Sequence, residues 1–96
     1  MAKYEMRVKI LEVGETENVT EKFAKREVVG MIEGEYPEYH KFEFVQGNVD
    51  LPDSLIEGTY ATIHFNIKGR KVESKKKGEK PKYFTSLQGW KVEASI

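Results

Sequence analysis

Glu38–Lys68 reads EYHKFEFVQGNVDLPDSLIEGTYATIHFNIK, two alternating runs separated by a segment of a different kind. The first run, Glu38–Gln46, puts His40, Phe42 and Phe44 on one face and Tyr39, Lys41, Glu43 and Val45 on the other. That period of two is the mark of a strand with one buried face. The last run, Thr59–Lys68, alternates as cleanly, with Ala61, Ile63, Phe65 and Ile67 inward and Thr62, His64 and Asn66 outward. Between them, Gly47–Gly58 is too short for a long amphipathic helix. It suits a brief helical turn that Asn48 or Asp50 could cap, with Pro52 at a first helical position and Gly58 at its end.

Strands also flank this unit. Upstream, Tyr4, Met6, Val8 and Ile10 alternate with Glu5, Arg7 and Lys9, and Gly14–Thr20 (GETENVT) reads as a loop. A second strand spans about Lys25–Glu33, where Val28, Val29, Met31 and Ile32 leave the inward parity open. Gly30 within it suggests a bulge or strong bend, and Gly34–Pro37 a turn. Downstream, Lys68–Lys82 reads as a loop, followed by a last strand, Tyr83–Glu93. There the uneven spacing of Phe84, Leu87, Trp90 and Val92 implies a bulge near Gly89. No internal repeat is visible, and without long crossover helices the sheet should be largely antiparallel. The expected architecture is all-β: a five-stranded Greek-key barrel of the OB-fold type, with one short helix between strands three and four. Residues 1–96 form one such domain, a length that supports a single core. In that fold the ligand face lies on strands two and three, bounded by the loops joining strands one to two and four to five.

The charge distribution marks the last of those loops. Lys68–Lys82, KGRKVESKKKGEKPK, holds eight of the sixteen Lys and Arg residues against two acids, a net charge of +6. The remainder carries −6, so a chain of zero formal charge is sharply polarised. A basic run beside Tyr83, Phe84 and Trp90 suits a polyanion whose bases stack on rings, although a solvated loop accounts for the charge alone equally well. Several classes are disfavoured. There is no cysteine, hence no disulfide, Cys-based zinc site or thiol chemistry. No apolar run approaches the roughly 18–20 residues of a membrane span, and MAKYEMRVKI lacks a signal-peptide core, so a cytoplasmic protein is expected.

From the third strand onward the chain resembles the bacterial single-stranded-DNA-binding proteins. EYHKFEF (Glu38–Phe44) is similar to the family's acid, aromatic, histidine and base leading into an apolar strand. Gly58 followed by ATIHFNIKGRK (Ala61–Lys71) is similar to its glycine, alternating strand, glycine and basic pair. Small OB-fold domains of Bacteroidetes and their phages are resembled too, through Tyr36-Pro37, a Phe-Glu-Phe strand and Trp90–Glu93. The resemblance implies Tyr39 as a stacking aromatic, Lys41 as its adjacent base, and Arg70 and Lys71 as the pair opening a hairpin. It also implies homo-oligomers and work in replication, recombination or repair. The chain departs from the pattern at Val72, where a second stacking aromatic is usual. It also ends at Ile96 without an acidic, hydrophobic-tipped tail, so a phage-like or accessory role is expected before a recruiting one.

The expected function is therefore sequence-nonspecific binding of single-stranded DNA. The nucleic-acid-binding candidates are Tyr39, Lys41, Lys68, Arg70, Lys71, Lys75, Lys76, Lys77, Lys80, Lys82 and Trp90. Arg70, Lys71, Lys76, Lys80 and Lys82, with Lys41, are the chosen phosphate contacts, since three consecutive lysines cannot all face one ligand. Trp90 is read first as core and second as a platform, because a lone tryptophan in a small barrel is readily buried. Phe42, Phe44, Phe65 and Ile67 are assigned to the core. The acids Glu12, Glu15, Glu17 and Glu21 crowd one wall of the expected groove, where they would repel phosphate unless they splay away or meet a neighbouring subunit's lysines. Single-stranded RNA, or an acidic protein partner for the basic loop, are the alternatives. Catalysis has little support. His40 and His64 lie on separate strands without metal-ligand company, the serines sit in no nucleophile elbow, and no phosphate-cradling glycine motif occurs. Asp50 and Asp53 are read as helix-capping acids. No metal or cofactor is expected.

Overall fold

The computed structural model describes residues 4–94 and contains six strands. They are β1 (Tyr4–Val13), β2 (Glu17–Thr20), β3 (Phe23–Ile32), β4 (Glu38–Val45), β5 (Tyr60–Val72) and β6 (Lys82–Ala94). Closure depends on β1, which pairs with β5 through Tyr4–Lys9 and with β3 through Lys9–Val13. The ring β1-β5-β6-β4-β3 is then complete, a closed OB-type barrel whose one parallel contact joins β4 to β6. A bulge between Ile10 and Glu12 lets β1 serve both neighbours.

The alternating apolar residues meet inside. Val8, Ile10, Val28, Phe42, Phe44, Leu55, Ala61, Ile63 and Phe65 form the core, with Met6, Val13, Ile32, Leu51, Leu87 and Val92 packed around it. Phe42 meets Phe65 edge-on at 5.5 Å. Burial of each such phenyl ring contributes about 1.5–3 kcal/mol. The open parity of the second predicted strand resolves as Val28, Gly30 and Ile32 inward. Gly30 is no bulge: a Cβ there would lie 2.5 Å from a Val8 methyl, so glycine lets β1 cross close over β3. The bulge expected near Gly89 is present. His64 pairs with Lys91 and Phe65 with Gly89, leaving Trp90 as the extra residue, while Gly89 seats the Phe44 ring.

The expected short helical segment is present as two 3₁₀ turns, Gln46–Asn48 and Leu51–Ser54. Four local readings are corrected. Neither Asn48 nor Asp50 caps through its side chain. Asp53 instead accepts from Arg26 Nη1 at 2.6 Å, and Arg26 also donates to the carbonyls of Gly14 (2.7 Å) and Val49 (3.2 Å). One half-buried guanidinium thus ties the end of β1 and the 3₁₀ segment to β3. Within the expected loop 14–20, Glu17–Thr20 is a strand paired to the start of β3. Gln46 pins that hairpin, accepting from Ala24 N–H and donating to the Lys22 carbonyl. The basic stretch is not simply a loop, since Lys68–Val72 extend β5 and Lys82 opens β6. The two strands leave the barrel as a twisted arm. Ile67 therefore keeps the inward parity of Phe65 but lies beyond the core, 48% exposed.

Candidate functional site

A cleft of about 830 Å³ opens on the outer face of β3, β4 and β6, between the β2–β3 hairpin and the arm. Side-chain alternation decides what reaches it. On β3 and β4 the outward series supplies Lys25, Lys41, Glu43 and Val45; Val19 and Phe23 come from the hairpin. On the arm, Lys68 pairs with Ser86 and Arg70 with Phe84, and all four line the cleft. Directly opposed residues of an antiparallel pair share a face. Lys71 and Tyr83, the next pair, consequently face the other way.

The two walls differ in chemistry. The arm presents Lys68 and Arg70 beside the half-exposed Phe84 ring, with the guanidinium carbon 5.5 Å from the ring centroid. The hairpin side is apolar and acidic. Lys25 lies 3.3 Å from Glu43 and 3.7 Å from Glu27, and Lys41 lies 3.2 Å from Glu27. Burial alone would lower the Lys25 pKa, but the hydrogen bond to Glu43 and the fields of Glu43, Glu27 and Glu17 outweigh it, and the pKa is raised. Glu17, directly opposite Lys25, thus stays on the cleft side. The floor is self-neutralised, and uncompensated positive charge lies along the arm.

The candidates named from sequence fall into groups. Lys41, Lys68 and Arg70 line the cleft, and Lys82, paired with Val72, shares the arm face of Arg70. Lys71 points away and sits 2.9 Å from Glu73. Lys75, Lys76, Lys77 and Lys80 occupy the exposed arm tip, a turn shaped by Gly78 at φ +90° and by Ser74 donating to Glu79 at 2.7 Å. Tyr39 is 63% exposed on the same sheet face, one step beyond Lys41. Trp90 is not core. As the bulged residue it is 41% exposed and packs on His64, lining a separate shallow cleft with Tyr4, Glu5 and Lys91. There His64 lies between Glu5 (3.4 Å) and Glu93 (3.5 Å), and Lys91, then His64, hold the Glu93 carboxyl below its usual pKa. His40, 3.0 Å from Glu38, is half-buried at the barrel edge. Among the described residues no three His, Asp or Glu side chains gather as a metal site.

Sequence reasoning missed Lys25, Glu43 and Phe23 as cleft residues, and it named Phe84 only as one of three rings beside the basic run. Lys25 and Glu43 were legible as the outward parity of adjacent strands. Phe23 was not, because its exposure depends on the hairpin rising from the barrel.

The sequence profile of the family described as Domain of unknown function (DUF3127) matches residues 5–93, and the chain belongs to that family. Among solved structures it is similar to the mitochondrial single-stranded DNA binding protein Rim1 from S. cerevisiae, at a TM-score of 0.67 and 7% identity. The match covers 97% of this chain and 93% of that one, and at such identity it carries the fold alone. No curated protein matches the chain.

Proposed function

We propose that this DUF3127-family barrel binds single-stranded nucleic acid, DNA before RNA, in the cleft between the β2–β3 hairpin and the arm. The observation that carries this reading is the arm wall, where Lys68 and Arg70 flank the exposed Phe84 ring on a single face. Cations placed beside a ring suit a strand whose phosphates run along the arm while a base stacks on Phe84. Base–aromatic stacking of this kind is worth about 1–3 kcal/mol. The printed description of Rim1 as a single-stranded DNA binding protein supports DNA as the polymer. Phosphate contacts give affinity without sequence information, so no fixed recognition sequence is required. The same proposal includes a cytoplasmic setting, shielding or presenting single strands in replication, recombination or repair, and self-association, since one barrel offers a short site.

The test is fluorescence anisotropy of labelled oligo-dT, its RNA counterpart and a duplex, at low and moderate salt. Micromolar or tighter binding to the single-stranded DNA, much weaker duplex binding and a loss of affinity with salt are expected. With Lys68, Arg70 and Lys82 as the phosphate contacts, the log–log slope should be roughly −2, at about −0.7 per contact. Absence of any anisotropy change at low salt with all three polymers would overturn the proposal.

A further inference from the structure

A strand lying in this cleft meets the carboxylate of Glu43 on the floor, between the basic arm and the apolar hairpin. Glu43 is half-buried, and Lys25 Nζ donates to its Oε1 at 3.3 Å. That contact fixes the carboxylate and compensates its charge at the base of the groove. An ionised carboxylate only accepts hydrogen bonds. Gln88 stands directly opposite Glu43 in the β4–β6 pair and Ser86 lies beyond it, so the floor is polar where the arm wall is aromatic. With phosphates drawn to Lys68 and Arg70, the base edges point toward Glu43. Orientation follows from charge, because Lys25 and Lys41 on the floor are already paired with Glu43 and Glu27, whereas among the described residues Lys68 and Arg70 form no ion pair.

We propose that Glu43 is a specificity-determining residue of this groove, biasing it toward bases that offer N–H donors, guanine above all, and against thymine. The inference rests on the single-strand reading above. The unpaired guanine edge presents N1–H and the N2 amino group side by side, two parallel donors that match the two carboxylate oxygens. Cytosine and adenine offer one amino group each, beside a ring-nitrogen acceptor. Thymine presents a single N–H between two carbonyl oxygens, which the carboxylate repels. The bias is graded rather than a recognition sequence, since the arm contacts do not depend on base identity.

The experiment measures affinity for thymidine 12-mers in which two separated positions are thymine, adenine, cytosine, inosine or guanine. Inosine keeps N1–H but lacks the amino group. The guanine oligomer should bind about fivefold to tenfold more tightly than the all-thymine one, a modest share of a good bidentate contact, with inosine in between. In Glu43→Gln the guanine advantage should disappear and the all-thymine affinity should rise, because the carboxylate that repels the thymine carbonyl oxygens has left the groove. A structural role for Glu43 would instead weaken every oligomer together and preserve the ranking. Equal affinities, a thymine preference in the native protein, or a ranking that survives Glu43→Gln overturns this inference and leaves single-strand binding intact. Failure of all five oligomers to bind overturns both.

Discussion

The same two strands behave differently at their two ends. Where β5 and β6 belong to the barrel, Ala61, Ile63 and Phe65 are buried and Gly89 is pressed against the Phe44 ring. A few residues on, the alternation continues through Ile67, Gly69 and Lys71, yet all three are exposed. Pairing is unbroken between the two regions; the opposing sheet wall is what is lost. The barrel end supplies stability, while the arm, held by its ladder and a turn at the tip, is free to spend its side chains on charge and exposed rings. The proposed binding role and stability are therefore separable along one hairpin.

The largest test of that separation is Phe44→Ala, which should cost about 3–5 kcal/mol in chemical denaturation, as expected for an emptied aromatic core site. Ile67→Ala, of the same parity outside the barrel, should stay within about 1 kcal/mol. A comparable loss at Ile67 would mean the arm is part of the cooperative core. Next, Phe84→Ala should weaken oligo-dT binding by about 1–3 kcal/mol without lowering the melting temperature appreciably. Tyr83→Ala, one residue away on the opposite arm face, should leave binding nearly unchanged. The smallest effect concerns the Trp90 side of the barrel. Glu93 has a folded pKa below its usual 4.5, so its contribution is present above that value and lost as pH falls through the lower folded one. Glu93→Gln should make the acid limb of the stability curve slightly shallower just below pH 4.5, and an unchanged limb would remove Glu93 from the account.

Much of the barrel was legible because its walls obey strict alternation: Phe42, Phe44, Ile63 and Phe65 each sit where a period of two places them. The reading failed where burial was not the organising force. Glu17–Thr20 is exposed along its whole length and is a strand only through pairing with β3, which no hydrophobic pattern records. Ile67 kept its parity, but parity says nothing of where the opposing wall ends. Trp90 was misread as core because a bulge re-aims one side chain, and spacing locates a bulge without giving its direction. At the candidate site, the basic run marked the β5–β6 hairpin that forms one wall of the cleft but not its two faces. Those follow from the register that pairs Arg70 with Phe84 and Lys71 with Tyr83.

That register also supplies the most direct test of the groove itself: the salt dependence of oligo-dT affinity in Arg70→Ala and Lys71→Ala. The two residues are adjacent, equally charged, and directed to opposite faces of the arm. Arg70→Ala should weaken binding and reduce the magnitude of the log–log salt slope by about 0.7, one phosphate contact, whereas Lys71→Ala should leave the slope unchanged. Equal losses from both substitutions would show that the arm acts as diffuse charge, and would contradict a groove built on one face.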